Sequence, residues 1–224
     1  MATAYFMHLI TDMTEASSDQ EHLRMVIFSA PDIPDRTAYI TGKSDKDPLP
    51  GILEAGMSLK KVGVDVIAIP CITAHYFQKE IESGLGIRTL NAISGCCDIL
   101  ADNNIKKVGL MATEGTVSSN LFQREFEKRD ITVLTPERKD QELVTSVIYN
   151  DVKKGKKPDM NSFYQAKNGL LSRGAETVIL GCTELSVVNR DNDTGEHVLD
   201  AMEVLAAMAI TACGKKVRKD RRLL

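Results

Sequence analysis

The sequence has few of the features that mark membrane, secreted or nucleic-acid-binding proteins. No run reaches the ~18 apolar residues of a membrane span, and the N-terminus lacks a basic region followed by an apolar stretch. Five cysteines without regular spacing indicate reduced thiols rather than a disulfide framework. The net charge is -3, and the only basic cluster, at 215–222, is typical of a solvated helix end rather than a nucleic-acid site. We therefore expect a cytoplasmic protein with no membrane or nucleic-acid partner.

Motifs of several common enzyme classes are also missing. Neither G-x-G-x-x-G nor G-x-x-x-x-G-K occurs, so no glycine-rich phosphate loop is predicted, and no G-x-S-x-G supports a serine triad. Cys71 and His75 could hold zinc, but the four histidines are scattered and no C-x-x-C or H-x-x-x-H pair completes the ligand set. We predict no metal.

What the chain does contain is a repeated strand and loop that ends in a cysteine. Residues 63–75, GVDVIAIPCITAH, are typical of a buried parallel strand and its loop, and residues 174–184, GAETVILGCTE, repeat the pattern. In each copy a leucine precedes the glycine by four residues and a cysteine follows it by eight, so Cys71 and Cys182 hold equivalent positions. Ligands bind beyond the carboxyl ends of parallel strands, so we expect both thiols at one site.

Strands and helices alternate along the chain, which predicts an α/β fold. We expect two pseudo-symmetric lobes, each a parallel sheet flanked by helices, with the active site in the cleft between them. The N-terminal lobe would comprise residues 1–92 and 198–224, and the second lobe residues 93–197. Further predictions are a first helix over 1–14, first-lobe strands at 24–29, 63–70 and 87–92, an irregular proline-containing loop at 31–40, and an apolar closing helix over 197–213.

The residues around the two thiols favour proton transfer at carbon. Each cysteine is followed by a threonine and a helix start, a setting that lowers a thiol pKa and attracts anions. One thiolate could remove a proton from a carbon acid while the opposite thiol returns a proton to the other face. Hydroxyl donors for a carboxylate would be Thr73, Thr116 and Thr183. A lone cysteine after a strand is more often an inert packed residue, but the duplication argues against that reading here. The remaining cysteines lack this context, and we assign them to packing: Cys96, Cys97 and Cys213.

Four segments, PCITAHYF, IPDRTAYI, ATEGTVSS and GCTELS, together resemble the aspartate/glutamate racemase family over nearly the whole chain. The resemblance implies a cofactor-independent isomerase, usually a homodimer, with a cysteine pair as its two bases. It implies that Arg36 and Lys153 bind the distal carboxylate of a small acidic amino acid. It also implies that Thr116, Thr183 and the amides after Cys71 hold the α-carboxylate.

Two positions bear on the substrate. Glu184 stands where glutamate racemases carry a histidine, so the chain is more similar to the aspartate racemase branch, and Glu184 joins the substrate-binding candidates. Ile72 replaces the family's asparagine after the first cysteine, which removes a polar contact worth ~1 to 3 kcal/mol. Ile72 is therefore a further candidate for substrate binding. Its presence leaves open other functions, namely maleate isomerase, decarboxylase or hydantoin racemase chemistry, or non-catalytic binding of acidic ligands.

The start of the sequence carries one more expectation. The family begins with a short apolar strand and a glycine turn that lead into a helix resembling ATAYFMHLI, and the printed sequence opens at that helix. We therefore expect the first lobe to lack its first strand. Either the native protein starts about 15 residues upstream, given a strand of ~5 to 6 residues with its turn and leader, or this form is poorly stable and inactive.

Overall fold

The computed structural model describes residues 2–221, 223 and 224, and this part of the chain alternates helices with short strands. The helices are α1 Ala2–Met13, α2 Arg36–Ile40, α3 Leu49–Val62, α4 Gln78–Leu85, α5 Ala92–Asp102, α6 Glu114–Ser118, α7 Leu121–Phe126, α8 Arg138–Ser146, α9 Met160–Ser172, α10 Thr183–Asp191 and α11 Ala201–Ala212. The strands are β1 Lys107–Met111, β2 Thr132–Leu134, β3 Thr177–Leu180 and β4 Val198–Asp200. Shorter elements are the 3-10 helices Asp19–Glu21, Ile72–Phe77, Glu127–Arg129 and Val152–Lys154, and the π-helix Val147–Asp151.

The four strands form one parallel sheet in the order β2-β1-β3-β4. Every residue of β3 and four of the five in β1 are buried, which is the pattern of central strands covered on both faces. Helices α5, α7, α9 and α11 pack around the sheet and share its large apolar core. The predicted α/β class, with a parallel sheet flanked by helices, is confirmed.

Among the residues that the structure describes, the second sheet that we expected, in the first lobe, is not formed. Of the predicted strands at 24–29, 63–70 and 87–92, only Ile67 and Thr89 make an isolated parallel bridge. The apolar sequence pattern is present, but a strand also needs a hydrogen-bonded neighbour, and residues 24–29 and 63–70 line one cavity without pairing to each other. The prediction of one sheet in each lobe is therefore wrong for the first lobe.

Helix caps correct two further boundaries. The loop 31–40 was expected to be irregular, yet α2 begins at Arg36 because the Asp35 side chain accepts from the Ala38 amide at 2.8 Å. The closing helix expected from residue 197 begins only at Ala201. Asp200 ends β4 and caps α11 by accepting from the Met202 amide at 2.8 Å.

The ends of the chain pack against each other. The predicted first helix is observed as α1, and Met1 lies outside the described residues. The basic tail is not a helix end, because α11 stops at Ala212 and the chain turns back along α1. There Val217 bridges Thr14 and the Arg218 amide donates to the Met13 carbonyl at 2.8 Å. Arg222 also lies outside the described residues.

Helix α11 closes the molecule by packing on α1 and α5. These helices bury their apolar faces against one another and join the core of the sheet, while α3 and α4 form a smaller core of their own. The apolar surface of α1 and α11 that suggested a dimer is thus largely used inside one chain, and dimerisation stays a prediction. The division into lobes at 92/93 and 197/198 also stays a prediction, although β4 at 198–200 belongs to the second-lobe sheet. Across the described ranges, every helix is too short or too polar to cross a membrane.

Candidate active site

The two predicted cysteines occupy the same local setting. Cys71 is the N-cap of the 3-10 helix Ile72–Phe77 and Cys182 is the N-cap of α10, with extended φ angles of -139° and -148°. Each thiol follows an apolar segment and precedes a threonine, as the duplicated sequence pattern indicated. The first amides of a helix have no partner within the helix and favour negative charge near them.

One cavity of about 960 Å³ brings most of the predicted site residues together. Its lining includes Arg36, Cys71, Ile72, Thr73, Lys153, Cys182, Thr183 and Glu184. Among these, Ile72 is only 2% exposed and contributes mainly to the large core. Of the predicted set, Thr116 does not line the cavity.

Cys182 lies against a carboxylate. Its Sγ atom is 2.9 Å from Oε2 of Glu184, and the Thr183 hydroxyl donates to the same oxygen at 3.1 Å. Burial raises the pKa of the Cys182 thiol well above its usual range, and the negative charge of Glu184 raises it further. The thiol therefore stays protonated and donates a hydrogen bond to Glu184. A protonated thiol is the form that can deliver a proton to a carbanion.

Arg36 lies beside the other thiol, Cys71. Burial acts to lower the pKa of Arg36, but the Cys71 sulfur and nearby carboxylates outweigh it, so the pKa is raised and the guanidinium stays charged. Nη1 donates to the carbonyls of Ile33 and Pro34 at 3.1 and 2.9 Å, which fixes the side chain on its own loop. Because a guanidinium has five N–H groups, donors remain for an anion in the cavity.

Lys153 reaches the cavity from the irregular end of α8. Its Nζ atom lies 3.5 Å from Oδ2 of Asp35 and 4.0 Å from the centroid of the Tyr149 ring. Burial acts to lower the pKa of Lys153, but Glu184, Tyr149 and Asp35 outweigh it and the pKa is raised. The π-helix Val147–Asp151 places Tyr149 on the cavity wall. The ion pair with Asp35 joins the start of α2 to this segment of the second lobe.

Four threonine hydroxyls form a hydrogen-bonded cluster at one wall of the cavity. The Thr37 hydroxyl donates to Oγ1 of Thr113 at 3.0 Å, and Oγ1 of Thr73 lies 3.2 Å from Thr113 and 3.0 Å from Thr116. Thr116 is 0% exposed and sits behind the others, so it positions Thr73 and Thr113. Thr37, Thr73 and Thr113 border the cavity and are the hydroxyls that a carboxylate could reach.

This cluster depends on the close approach of α2 and α6. A Cβ atom on Gly115 would lie 2.8 Å from the Cα atom of Thr37, so only glycine allows the two backbones to meet this closely. Thr113 caps α6, since its hydroxyl accepts from the Thr116 amide at 3.3 Å. Thr113 therefore ends the loop that follows β1 and also joins the threonine cluster.

His75 holds the first cysteine loop in place. Its Nε2 atom accepts from the Ala92 amide at 3.1 Å, so Nδ1 carries the proton and donates to the Cys71 carbonyl at 3.2 Å. Burial lowers the pKa of His75, which keeps the ring neutral. Both ring nitrogens are engaged with the backbone, so His75 acts as a structural link between the Cys71 loop and the start of α5. This arrangement does not favour a zinc site built on Cys71 and His75.

The sequence profile of the family described as Asp/Glu/Hydantoin racemase matches residues 1–209. The chain belongs to this family. The predicted family is thus confirmed, and with it the prediction of an isomerase, an amino-acid racemase.

Individual relatives extend the likeness over almost the whole racemase chain. The "Broad specificity amino-acid racemase RacX" of Bacillus subtilis (strain 168) is 26% identical over 199 residues, which cover 88% of this chain and 84% of RacX. The solved structure of the Picrophilus torridus aspartate racemase has a TM-score of 0.87 at 31% identity, over 99% of this chain and 93% of that one. A putative Asp/Glu racemase from Yersinia pestis shares the fold, with a TM-score of 0.78 at 23% identity over 95% and 94% of the two chains.

Three residues of the site were missed by sequence reasoning, and His75 was considered only as a zinc ligand. Thr37 and Thr113 complete the hydroxyl cluster, Tyr149 borders Lys153, and His75 holds the Cys71 loop. Thr113 had a usable signal, because a threonine three residues before Thr116 at a strand end matches a helix cap. Tyr149 and Thr37 had none, since their positions depend on contacts between segments far apart in the chain.

Proposed function

We propose that this racemase acts on a small acidic amino acid, aspartate first, and uses Cys71 and Cys182 as two bases without a cofactor. The observation that carries the proposal is that both thiols stand at helix N-caps on one cavity, with Arg36 and Lys153 beside them. The similarity to the Picrophilus torridus aspartate racemase at 31% identity supports aspartate as the first substrate to try.

In the proposed reaction one proton leaves Cα and another arrives on the opposite face. The Cys71 thiolate takes the Cα proton, and the C–H electron pair remains as a carbanion delocalised into the α-carboxylate. The Cys182 thiol then gives its proton to the other face of Cα. The product has inverted configuration, Cys71 is a thiol and Cys182 a thiolate, and the reverse reaction uses the same groups in exchanged roles.

The two carboxylates of the substrate would be bound by different groups. Arg36 and Lys153 supply positive charge for the distal carboxylate, Arg36 through the N–H groups that its loop leaves free. The hydroxyls of Thr73 and Thr113, with the amide of Thr183, would donate to the α-carboxylate, where negative charge grows in the transition state. The two hydroxyls are already held by the threonine cluster, so little reorganisation is needed on binding.

Deuterium exchange tests the mechanism. In heavy water without added pyridoxal phosphate, racemisation of aspartate should incorporate solvent deuterium at Cα. Cys71→Ser and Cys182→Ser should each lower turnover by about 10²- to 10⁴-fold, because one acid–base group is lost. Cys213→Ser changes an exposed thiol that lines the same cavity but has no part in the proposed reaction, and it serves as the control. Full activity in both active-site variants would overturn the proposal.

The substrate range is a separate question, motivated by Ile72 and by the 26% identity to a racemase of broad specificity. Ile72 cannot donate a hydrogen bond to the substrate, so selection for an acidic side chain would rest on Arg36 and Lys153. A panel of acidic and neutral amino acids, diacids and hydantoins assayed by chiral chromatography separates the options. Aspartate turned over no faster than neutral amino acids would show a broad-specificity enzyme instead.

The oligomeric state and the compartment complete the proposal. We propose a homodimer, on the family resemblance, and light scattering that gives a monomer mass at micromolar concentration would contradict it. We also propose a cytoplasmic enzyme, because all five cysteines are free and a thiolate base needs a reducing compartment.

A further inference from the structure

The carboxylate of Asp200 has no part in the proposed reaction, yet it lies close to the second cysteine in the fold. Asp200 ends β4 at the position that pairs with Leu180, and Leu180 is two residues before Cys182. The residue is 2% exposed. Taking an ionised carboxylate out of water is unfavourable unless hydrogen bonds replace those of the solvent. The partners of Asp200 therefore indicate why a charged group is kept at this position.

Both carboxylate oxygens of Asp200 accept hydrogen bonds. Oδ1 accepts from the Ser186 hydroxyl at 2.6 Å and from the Met202 amide at 2.8 Å. Oδ2 accepts from the side-chain amide of Asn189 at 3.4 Å. Burial raises the pKa of Asp200, and these three donors act to lower it. A single side chain thereby joins the first turn of α11 to two positions on α10.

The first of these positions, Ser186, lies one helical turn from the Cys182 thiol. Cys182 is the N-cap of α10, and its carbonyl accepts from the amides of Leu185 and Ser186 at 3.0 and 3.2 Å. The Ser186 hydroxyl oxygen is also 3.5 Å from that carbonyl. A hydroxyl has one proton to donate, and the shorter contact assigns it to Asp200. The carboxylate therefore holds the turn of α10 that carries Cys182.

The second position, Asn189, explains why the residue is an aspartate. Oδ1 of Asn189 accepts from the Thr194 hydroxyl, so its amide nitrogen is the atom that faces Asp200. Asparagine in place of Asp200 would cap α11 equally well, because both residue types are good N-caps. It would, however, bring its own amide donor against the amide donor of Asn189. The second carboxylate oxygen is thus needed for the contact with α10 and not for the cap.

We propose that Asp200 is a positioning residue for Cys182. The inference rests on the proposed function, in which Cys182 is one of the two acid–base groups. Through Ser186 and Asn189, Asp200 fixes α10 against the start of α11, and this contact holds the thiol where it can exchange a proton with Cα. Asp200 acts through the position of the helix, whereas Glu184 acts directly on the thiol.

Alkylation by iodoacetamide at pH 8 tests this role without turnover. Asp200→Asn should raise the alkylation rate of the buried Cys182 thiol by about tenfold, because a loosened α10 exposes it. Mass spectrometry of the two cysteine peptides gives both rates, and the rate at Cys71 should change little. Asp191→Asn, at the exposed end of the same helix, is the matched control and should alter neither rate.

Steady-state kinetics separate the position of the thiol from substrate binding. Arg36 and Lys153 lie on other segments, so Asp200→Asn should leave the KM for aspartate unchanged. The kcat should fall by about 10- to 100-fold, because a small misplacement of a reacting group slows the chemical step. The control Asp191→Asn should retain both constants.

Exchanging the two side chains should restore the contact. Asp200→Asn combined with Asn189→Asp again places a carboxylate oxygen opposite an amide donor. We therefore expect the alkylation rate of Cys182 and the kcat to return to within about threefold of the parent. A general loss of stability would not be repaired by this exchange.

The outcomes distinguish the positioning role from the proposed function. Equal alkylation of Cys182 in the parent and in Asp200→Asn would overturn the positioning role, and so would faster alkylation of both cysteines alike. An unchanged kcat in Asp200→Asn, or a double variant no better than the single one, would also overturn it. A parent that does not racemise aspartate, with the Cys182 rate still raised selectively in Asp200→Asn, would contradict the proposed function but support the positioning of Cys182 by Asp200.

Discussion

The Sγ atom of Cys182 lies 2.9 Å from Oε2 of Glu184, whereas Cys71, at the equivalent position of the other lobe, lies beside the guanidinium of Arg36. The duplicated strand and cysteine thus place two thiols in opposite electrostatic surroundings. Burial and the negative charge of Glu184 raise the pKa of the Cys182 thiol and favour its protonated form.

Removing the carboxylate beside Cys182 should make its thiol more acidic. We expect Glu184→Gln to lower the pKa of Cys182 and to speed its alkylation by iodoacetamide at pH 8, by up to about tenfold for each unit of the pKa. Mass spectrometry of the Cys182 peptide gives the rate. Glu125→Gln, which removes a half-buried carboxylate outside the cavity, is the control. An unchanged or slower Cys182 rate would show that Glu184 does not govern this thiol.

The planar shape of the Arg36 guanidinium should matter more for substrate binding than its charge. Arg36→Lys keeps a positive charge but loses the planar set of donors, and a hydrogen bond to a charged group is worth about 1.5 to 3 kcal/mol. We therefore expect the KM for aspartate to rise about tenfold to hundredfold in steady-state kinetics. Arg129→Lys, in an exposed ion pair with Asp98, should leave KM unchanged. A KM within twofold of the parent would remove Arg36 from substrate binding.

A single methyl group on α6 should disturb the threonine cluster. Gly115→Ala would bring a Cβ within 2.8 Å of the Thr37 Cα atom, so α2 must move away from α6. Overpacking of this kind destabilises by about 1 to 3 kcal/mol, measurable by urea unfolding. Ser118→Ala, at an exposed position of the same helix, should be close to neutral. A Gly115→Ala protein as stable as the parent would mean that the two helices can separate freely.

Glu203 should make stability depend on pH. Burial, with the charge of Asp200, raises the pKa of Glu203 from 4.5 to about 7. The folded protein therefore holds an extra proton between these values, so the stabilisation is complete below about 4.5 and is lost as the pH rises through about 7. In thermal melts, Glu203→Gln should lose less stability than the parent between pH 5.5 and pH 8. Glu142→Gln, exposed on α8, should behave as the parent, and equal pH slopes in Glu203→Gln would contradict the prediction.

Much of the second lobe could be predicted from local pattern. The apolar runs of β1 and β3, the glycine before each cysteine strand and the caps that follow them are short-range features, and they placed Cys71 and Cys182 in equivalent settings. The short sequence motifs around these elements also sufficed to predict the family. Where the pattern is complete within a few residues, sequence reasoning located the element.

The same pattern failed where structure depends on a distant neighbour. Residues 24–29 and 63–70 contain apolar runs similar to β3, yet they are not strands, because a ladder needs a hydrogen-bonded partner and these two segments line one cavity without pairing. The irregular loop expected at 31–40 became α2 through the Asp35 cap. An apolar side-chain pattern predicts a tendency to form a strand or helix, and the backbone hydrogen bonds decide which element forms.

The sequence by itself determined the α/β class, the family and the equivalence of the two cysteine positions, because each depends on residues that lie close together in the chain. Only the tertiary structure decided that Thr37 joins Thr113 across 76 positions, and that Glu184 faces one thiol while Arg36 faces the other. Hydrogen bonds and pKa values depend on distance and burial in space. Segments that are far apart in sequence determine these hydrogen bonds and pKa values, so the different surroundings of the two thiols follow from the fold.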